Sequence, residues 1–360
     1  MNRRVVLTSM GAVTLLGAGG FGLRARAEGR YTDAAMALRR PLDLTATGTE
    51  RLAELVRMAC LAPNSHNTQG WVFATRPDGV AITVDPARRT PVVDPDDHHL
   101  FVSLGCAVET LAIAASAYGV EARPKIWPDG TVTVLFAKGA ERSVLIPAIV
   151  RRQSHRGVYD GTALSTADRT ALMSADPDLR LIEDAPTRTA LQDLTSAACA
   201  AQMSDPAYRQ ELKSWLRFSE DTALKTRDGL FSGCSGSPAL PQALGRALFP
   251  VVVTAKGQAE GLGAQMASTP ALVLLVTHPD TPAGRIKTGR RLARICLAAT
   301  QAGLATAPVN PALEDPDTRS KVARLCDITT GRPSILLRVG RSAVAMPYSL
   351  RRPAMQVLLS

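Results

Sequence analysis

Arg151-Arg152-Gln153-Ser154-His155-Arg156-Gly157-Val158-Tyr159-Asp160 gathers three guanidinium groups, a hydroxyl and an imidazole directly after the apolar segment 144–150. Arginine presents a planar fork of donors that fits phosphate bidentately, and Ser154 adds a neutral donor where the chain leaves a helix. An isolated basic run is more often a solvated face. The meaning of this one therefore rests on what else the chain carries.

The chain has 360 residues, 46% of them hydrophobic, which is enough for one large core or two medium ones. Only 4% are aromatic, which argues against a stacking platform for single-stranded nucleic acid. The formal charge is +10; residues 1–27 contain Arg3, Arg4, Arg24 and Arg26 and no acid, so without them it falls to +6. Clustered arginines on a mildly basic chain suit a small anion better than a duplex, and no nucleic-acid partner is expected. Arg3-Arg4 before a glycine-diluted apolar stretch, and Ala25-Arg26-Ala27 after it, predict a twin-arginine signal over residues 1–27, cleaved after Ala27. The protein is then expected in the periplasm or outside the cell. No other run reads as long and apolar enough to cross a bilayer, so no stable membrane span is expected after processing. The six cysteines form no C-x-x-C pair, and most fall in apolar helical patterns. The acids and histidines at 94–99 read as a helix start favoured by the macrodipole, so no metal site is assigned.

The coarse pattern mixes helices with hairpins, an α+β fold. A helix from Thr47 stops at Pro63; two hairpins turn at Pro77-Asp78-Gly79 and Pro128-Asp129-Gly130, flanking a long helix that opens near Asp94 and ends near Tyr118. The later half offers a strand at 271–277, a helix at about 288–302 and a strand at 334–339. Residues 105–119 and 289–303 run from glycine to glycine over equal spans, with Ala-Ile-Ala-Ala and Cys-Leu-Ala-Ala at one offset. Small residues on one face allow close helix packing, so the two helices are candidates for the centre of an internal twofold. The expected units are 28–140 and 141–360, the second carrying an insertion at about 205–266 that would act as a lid.

Ala62-Pro63-Asn64-Ser65-His66-Asn67-Thr68-Gln69-Gly70-Trp71 follows the first helix and reads as a turn with amides and hydroxyls free for a ligand. With Arg152-Gln153-Ser154-His155-Arg156 it resembles the FMN-binding nitroreductase superfamily, whose motifs are R-x-S-x-[RK] and A-P-S-x-x-N-x-Q-P-W. Asn64 stands where the family has serine, and Gly70, expected to loosen the turn, where it has proline. In ordinary members the basic run precedes the turn and the flavin lies between two subunits. The reversed order here resembles the Acg-type branch, in which one chain carries two nitroreductase-like units and imitates the dimer. The resemblance implies that Arg152, Ser154, Arg351 and Arg352 hold the phosphate and ribityl chain of FMN, and that Arg156 lies near the pyrimidine edge. It further implies Pro63, Asn64, Ser65 and Asn67 along the other side, and Val309 and Asn310 in a turn whose backbone amide approaches the flavin N5. No side chain need be catalytic, because the flavin performs the hydride chemistry; His66 and His155 are candidate proton donors or structural groups. The function implied is an exported FMN-dependent oxidoreductase acting on a small-molecule electron acceptor such as a nitro compound or quinone, with the electron donor unknown. The alternative is a flavin-holding protein with a lidded site and little turnover.

Overall fold

The computed structural model describes residues 18–359, with side chains from Ala27 onward. In chain order the first half holds α1 (Ala18–Leu38), α2 (Gly48–Cys60), β1 (Trp71–Arg76), β2 (Gly79–Val84), α3 (His98–Ala115), β3 (Val120–Ile126) and β4 (Val132–Lys138). Then come α4 (Ile146–Arg151), α5 (Thr166–Ala175), β5 (Arg180–Ile182), α6 (Ala185–Ser204), α7 (Pro206–Trp215), β6 (Leu216–Arg217), α8 (Glu220–Thr226), β7 (Leu230–Phe231), α9 (Gln242–Val252) and α10 (Ala255–Ala267). The chain closes with β8 (Ala271–Thr277), α11 (Pro282–Gln301), β9 (Ala305–Pro308), α12 (Pro311–Glu314), α13 (Pro316–Leu325), β10 (Arg332–Gly340) and β11 (Leu358–Leu359).

Local chemistry accounts for the boundaries. The Asp94 carboxylate accepts from the amides of His99 and Leu100 and so opens α3, while Ser165 and Asp168 form a capping box on α5. Gly79 leads β2 because a Cβ there would lie 1.9 Å from the Val134 carbonyl oxygen. Thr281 caps α11 with Pro282 behind it, so that helix begins six residues before the predicted start.

Both halves repeat one topology: strand, strand, helix, strand, strand. One sheet runs β11-β1-β2-β4-β3 and the other β5-β8-β10-β9, so the first, second, fourth and third strands of each unit are neighbours, all antiparallel. β11 is an extra strand, laid parallel to β1 by the C-terminal tail. Where β1 and β2 are joined by a tight turn, β5 and β8 are separated by α6 to α10. The segment without a counterpart thus starts near Ala185, earlier than the predicted 205.

The helices between the strands, α3 and α11, pack against each other at the centre. A Cβ on Gly105 would meet the Ile286 carbonyl oxygen at 2.0 Å, and one on Gly289 would meet that of Val102 at 1.9 Å. Each glycine thus faces the residue three before the other, the reciprocity that a twofold axis imposes. The main core is continuous across this crossing, from Leu55 and Trp71 to Ile295 and Leu337. Residues 98–118 are in fact long and apolar enough to span a bilayer, contrary to the sequence expectation. Of the 18-residue stretch within them that passes this test, 83% is buried, so the apolar surround of α3 is that of a core helix.

Candidate functional site

The turn after α2 is held in an uncommon backbone shape: His66, Asn67 and Gln69 have φ of 47°, 54° and 54°. Each such residue costs on the order of 1–3 kcal/mol, so the surroundings must fix it. They do so from three directions. Asn64 Oδ1 accepts from the Gln69 amide (3.0 Å), Asn67 Nδ2 donates to Gly229 and Leu350 oxygens (2.9 and 3.2 Å), and Gln69 Nε2 donates to Arg227 oxygen (2.9 Å). The turn is thereby tied to the insertion and to the tail. Gly70 does not loosen it: a Cβ there would lie 2.4 Å from Leu100 Cδ1, so the glycine makes room for α3.

The basic run leaves α4 and crosses to β9, where Ser154 bridges Thr306 and the His155 amide donates to the Thr306 oxygen at 2.8 Å. Arg152 is buried, not exposed as ligand arginines commonly are; its Nη2 donates to the Leu61 oxygen (3.0 Å), while Nε and Nη1 have no partner. Arg351, from the tail, donates from Nε to the Cys60 oxygen (2.8 Å). Arg39, just past α1, donates to the oxygens of Val150 and Arg152 (2.8 and 3.0 Å).

These three guanidiniums and that of Arg156 line one small cavity of about 40 Å³, together with Pro63, Asn64, Asn67 and Ser154. Among the described residues no carboxylate lines it, and none of the four forms an ion pair. Burial, reinforced by the neighbouring Arg152, pushes the Arg351 pKa down to about 10. Burial likewise lowers Arg39, beside Arg351 and Arg152, as well as Arg152 and Arg156 themselves. Buried like charges without a counter-ion are costly, so this is a cradle shaped for an anion.

A larger cavity of about 300 Å³ shares Pro63, Asn64, Ser154, Arg156 and Leu230 with the small one, so the two make one cleft. Ser65, His66, Val309 and Asn310 line it, and Met203, Tyr208, Leu212 and Leu262 of the insertion roof it. Burial, and then Arg156, lowers the His66 pKa to about 4, so this imidazole is neutral at pH 7.

The structure thus brings ten of the eleven predicted residues to the cleft. Arg352 is the exception: its guanidinium turns to the oxygens of Gln69 and Gln356, away from both cavities. Val309 lines the cleft, but its amide is spent on the Leu336 oxygen (2.8 Å) and is not free to approach a ligand. His155 lines neither cavity; its Nε2 lies 2.7 Å from the Val344 oxygen. The sequence reading missed Arg39, His99, Tyr208 and Glu314, which come from remote elements; the Arg39-Arg40 pair behind a helix was the available signal.

No protein-family model matches the chain. Among curated relatives, the protein of Mycobacterium tuberculosis H37Rv named "Putative NAD(P)H nitroreductase acg" is 25% identical over 87% of this chain and 96% of its own length. Another "Putative NAD(P)H nitroreductase" of that organism is 25% identical over 86% and 91%, and an uncharacterized protein is 29% identical over 85% and 92%. Among solved structures, an FMN-bound nitroreductase of Bacteroides fragilis overlaps 56% of this chain and 89% of its own, at 16% identity and a TM-score of 0.33. Over most of its length, the chain is a homologue of the Acg-type nitroreductase-like proteins.

Proposed function

We propose that the chain is an FMN-dependent oxidoreductase of the nitroreductase type, with one complete site formed between its two units. The observation that carries this is the cluster of three buried guanidiniums, Arg39, Arg152 and Arg351, and a half-buried fourth, Arg156, with no carboxylate among the described residues at the closed end of the cleft. A flavin phosphate would supply the missing negative charge, and the unpaired Nε and Nη1 of Arg152 would gain acceptors. Arg39, Arg152 and Arg351 would hold the phosphate, and Ser154 and Arg156 would meet the cofactor where the two cavities join. Pro63, Asn64, Ser65 and Asn310 would flank the ring. FMN, when bound, supplies hydride transfer; the chain orients it and keeps water out. The acceptor is a small nitro compound or quinone, and the names of the relatives suggest a nicotinamide donor.

The visible spectrum of the purified protein tests this. About one FMN per chain is expected, bleached anaerobically by NADH or NADPH and restored by a quinone. A colourless chain that takes up no FMN overturns the proposal. FMN that binds but does not bleach favours the flavin-holding alternative, which the insertion's roof over the cleft supports.

We further propose export by the twin-arginine route, although Arg3 and Arg4 lie outside the described residues. That route carries folded proteins, so FMN would be loaded before transport. Replacing both arginines with lysine should leave flavin-loaded precursor in the cytoplasm; continued export would point to the ordinary secretory route.

A further inference from the structure

The cavity carries a carboxyl group that cofactor binding leaves unused. Glu314 ends α12, four residues beyond Asn310, and its side chain is only 13% exposed. Gln202 of α6 donates to Glu314 Oε2 at 2.6 Å, and His99 Nε2, in the first turn of α3, lies 3.6 Å from Oε1. Three elements of different origin therefore converge on it: α3 from the first unit, α12 from the second and α6 from the insertion. Among the described residues no lysine or arginine pairs with it. The other titratable groups around it are Asp94 before α3, Cys199 on α6 and Tyr208 on α7. Burial raises the Glu314 pKa, and the Asp94 charge adds to this against the opposing effects of His99 and Gln202. Burial and then Glu314 push the Cys199 thiol to about 11 and raise the Tyr208 phenol further.

We propose that Glu314 is the proton donor to the acceptor reduced in this cavity, with Gln202 and His99 as positioning residues for its carboxyl group. The inference rests on the oxidoreductase reading above. An acceptor that takes a hydride on a conjugated system develops negative charge on an oxygen, and a carboxylic acid beside that oxygen neutralises it in the same step. The balance closes. A quinone gains one hydrogen with two electrons, the chemistry FMN supplies, and one proton from Glu314, becoming its hydroquinone. For a nitro group the same hydride and proton give the nitroso compound and water. Glu314 is left as a carboxylate and recovers its proton from solvent.

The test is Glu314→Gln, which preserves size and an oxygen to accept from Gln202. The variant is expected to be folded and yellow and to be reduced at the wild-type rate. Its re-oxidation by a quinone should be slower by roughly 10² to 10⁴-fold and should lose the wild-type decline toward high pH. Glu314→Asp, which keeps an acid, should recover part of that rate. Infrared difference spectra give a readout that needs no turnover: a protonated-carboxyl carbonyl band at pH 7, with or without FMN, that Glu314→Gln removes. Absence of that band, or wild-type re-oxidation in Glu314→Gln, overturns the assignment of Glu314 alone. Failure to take up FMN overturns both this assignment and the function on which it rests.

Discussion

Arg156 makes no hydrogen bond to protein among the described residues, whereas Arg152 holds the Leu61 oxygen from a buried position. The two should therefore part company on mutation. Arg156→Ala is expected to weaken FMN binding by about 10 to 150-fold, the worth of one charge-assisted bond of about 1.5–3 kcal/mol, with little change in melting temperature. Arg152→Ala should weaken binding and also lower the melting temperature, because it empties a packed site; flavin titration and thermal melts on both variants check this. Asp168 offers a pH test. Bonds from Arg341 (2.9 and 3.0 Å) and Ser165 hold its pKa at about 2, below the ordinary carboxylate value. A depressed folded pKa contributes stability that is full above the unfolded value of about 3.9 and is lost as pH falls through about 2. Asp168→Asn should flatten the acid limb of a stability–pH curve in that window; an unchanged limb counts against it. At this scale the two contiguous motifs were legible because each is local. Arg352 was misplaced for an equally local reason: Arg351 turns to the Cys60 oxygen beside the cleft, while Arg352 next to it turns to the oxygens of Gln69 and Gln356.

The α3–α11 crossing leaves no volume for a methyl group at Gly105 or Gly289, since the obstructing atoms are backbone oxygens that cannot swing aside. Gly105→Ala or Gly289→Ala should lower stability by 1–3 kcal/mol or more, seen as a drop in melting temperature or loss of soluble protein. A variant that melts like wild type would mean that the helices slide apart at little cost. Helix spacing and small residues made this pair visible in the sequence, as did the Pro-Asp-Gly turns for the hairpins. β5 escaped because only three residues, Arg180–Ile182, pair with β8, and a long insertion separates the two. Without β5, the repeat of the whole sheet order could not be read from pattern alone, and the insertion's first helix was assigned to the unit it interrupts.

On the scale of the molecule, α1 runs through Ala27, the expected processing point, and reaches the cleft at its far end. Tyr31 stacks on Phe231 of β7 at 4.7 Å between ring centroids and donates to the Tyr348 oxygen, so the helix holds insertion and tail together. A chain starting at Glu28 keeps Tyr31 and Arg39 and should still take up FMN. One starting at Pro41 lacks both and should bind it poorly, as absorbance after gel filtration will show; equal flavin content in the two would remove α1 from the site. Little of this was legible, because residues 28–46 offer only the Arg39-Arg40 pair, and Arg39 matters through contacts far along the chain, with the oxygens of Val150 and Arg152. The reciprocal crossing of Gly105 and Gly289 also bears on how such a chain changes over generations. In an assembly of identical subunits one codon writes both glycines, and every substitution strikes twice. Here two codons write them, so either helix can be altered while its mate stays fixed, and one surface can specialise without the other having to tolerate the same change.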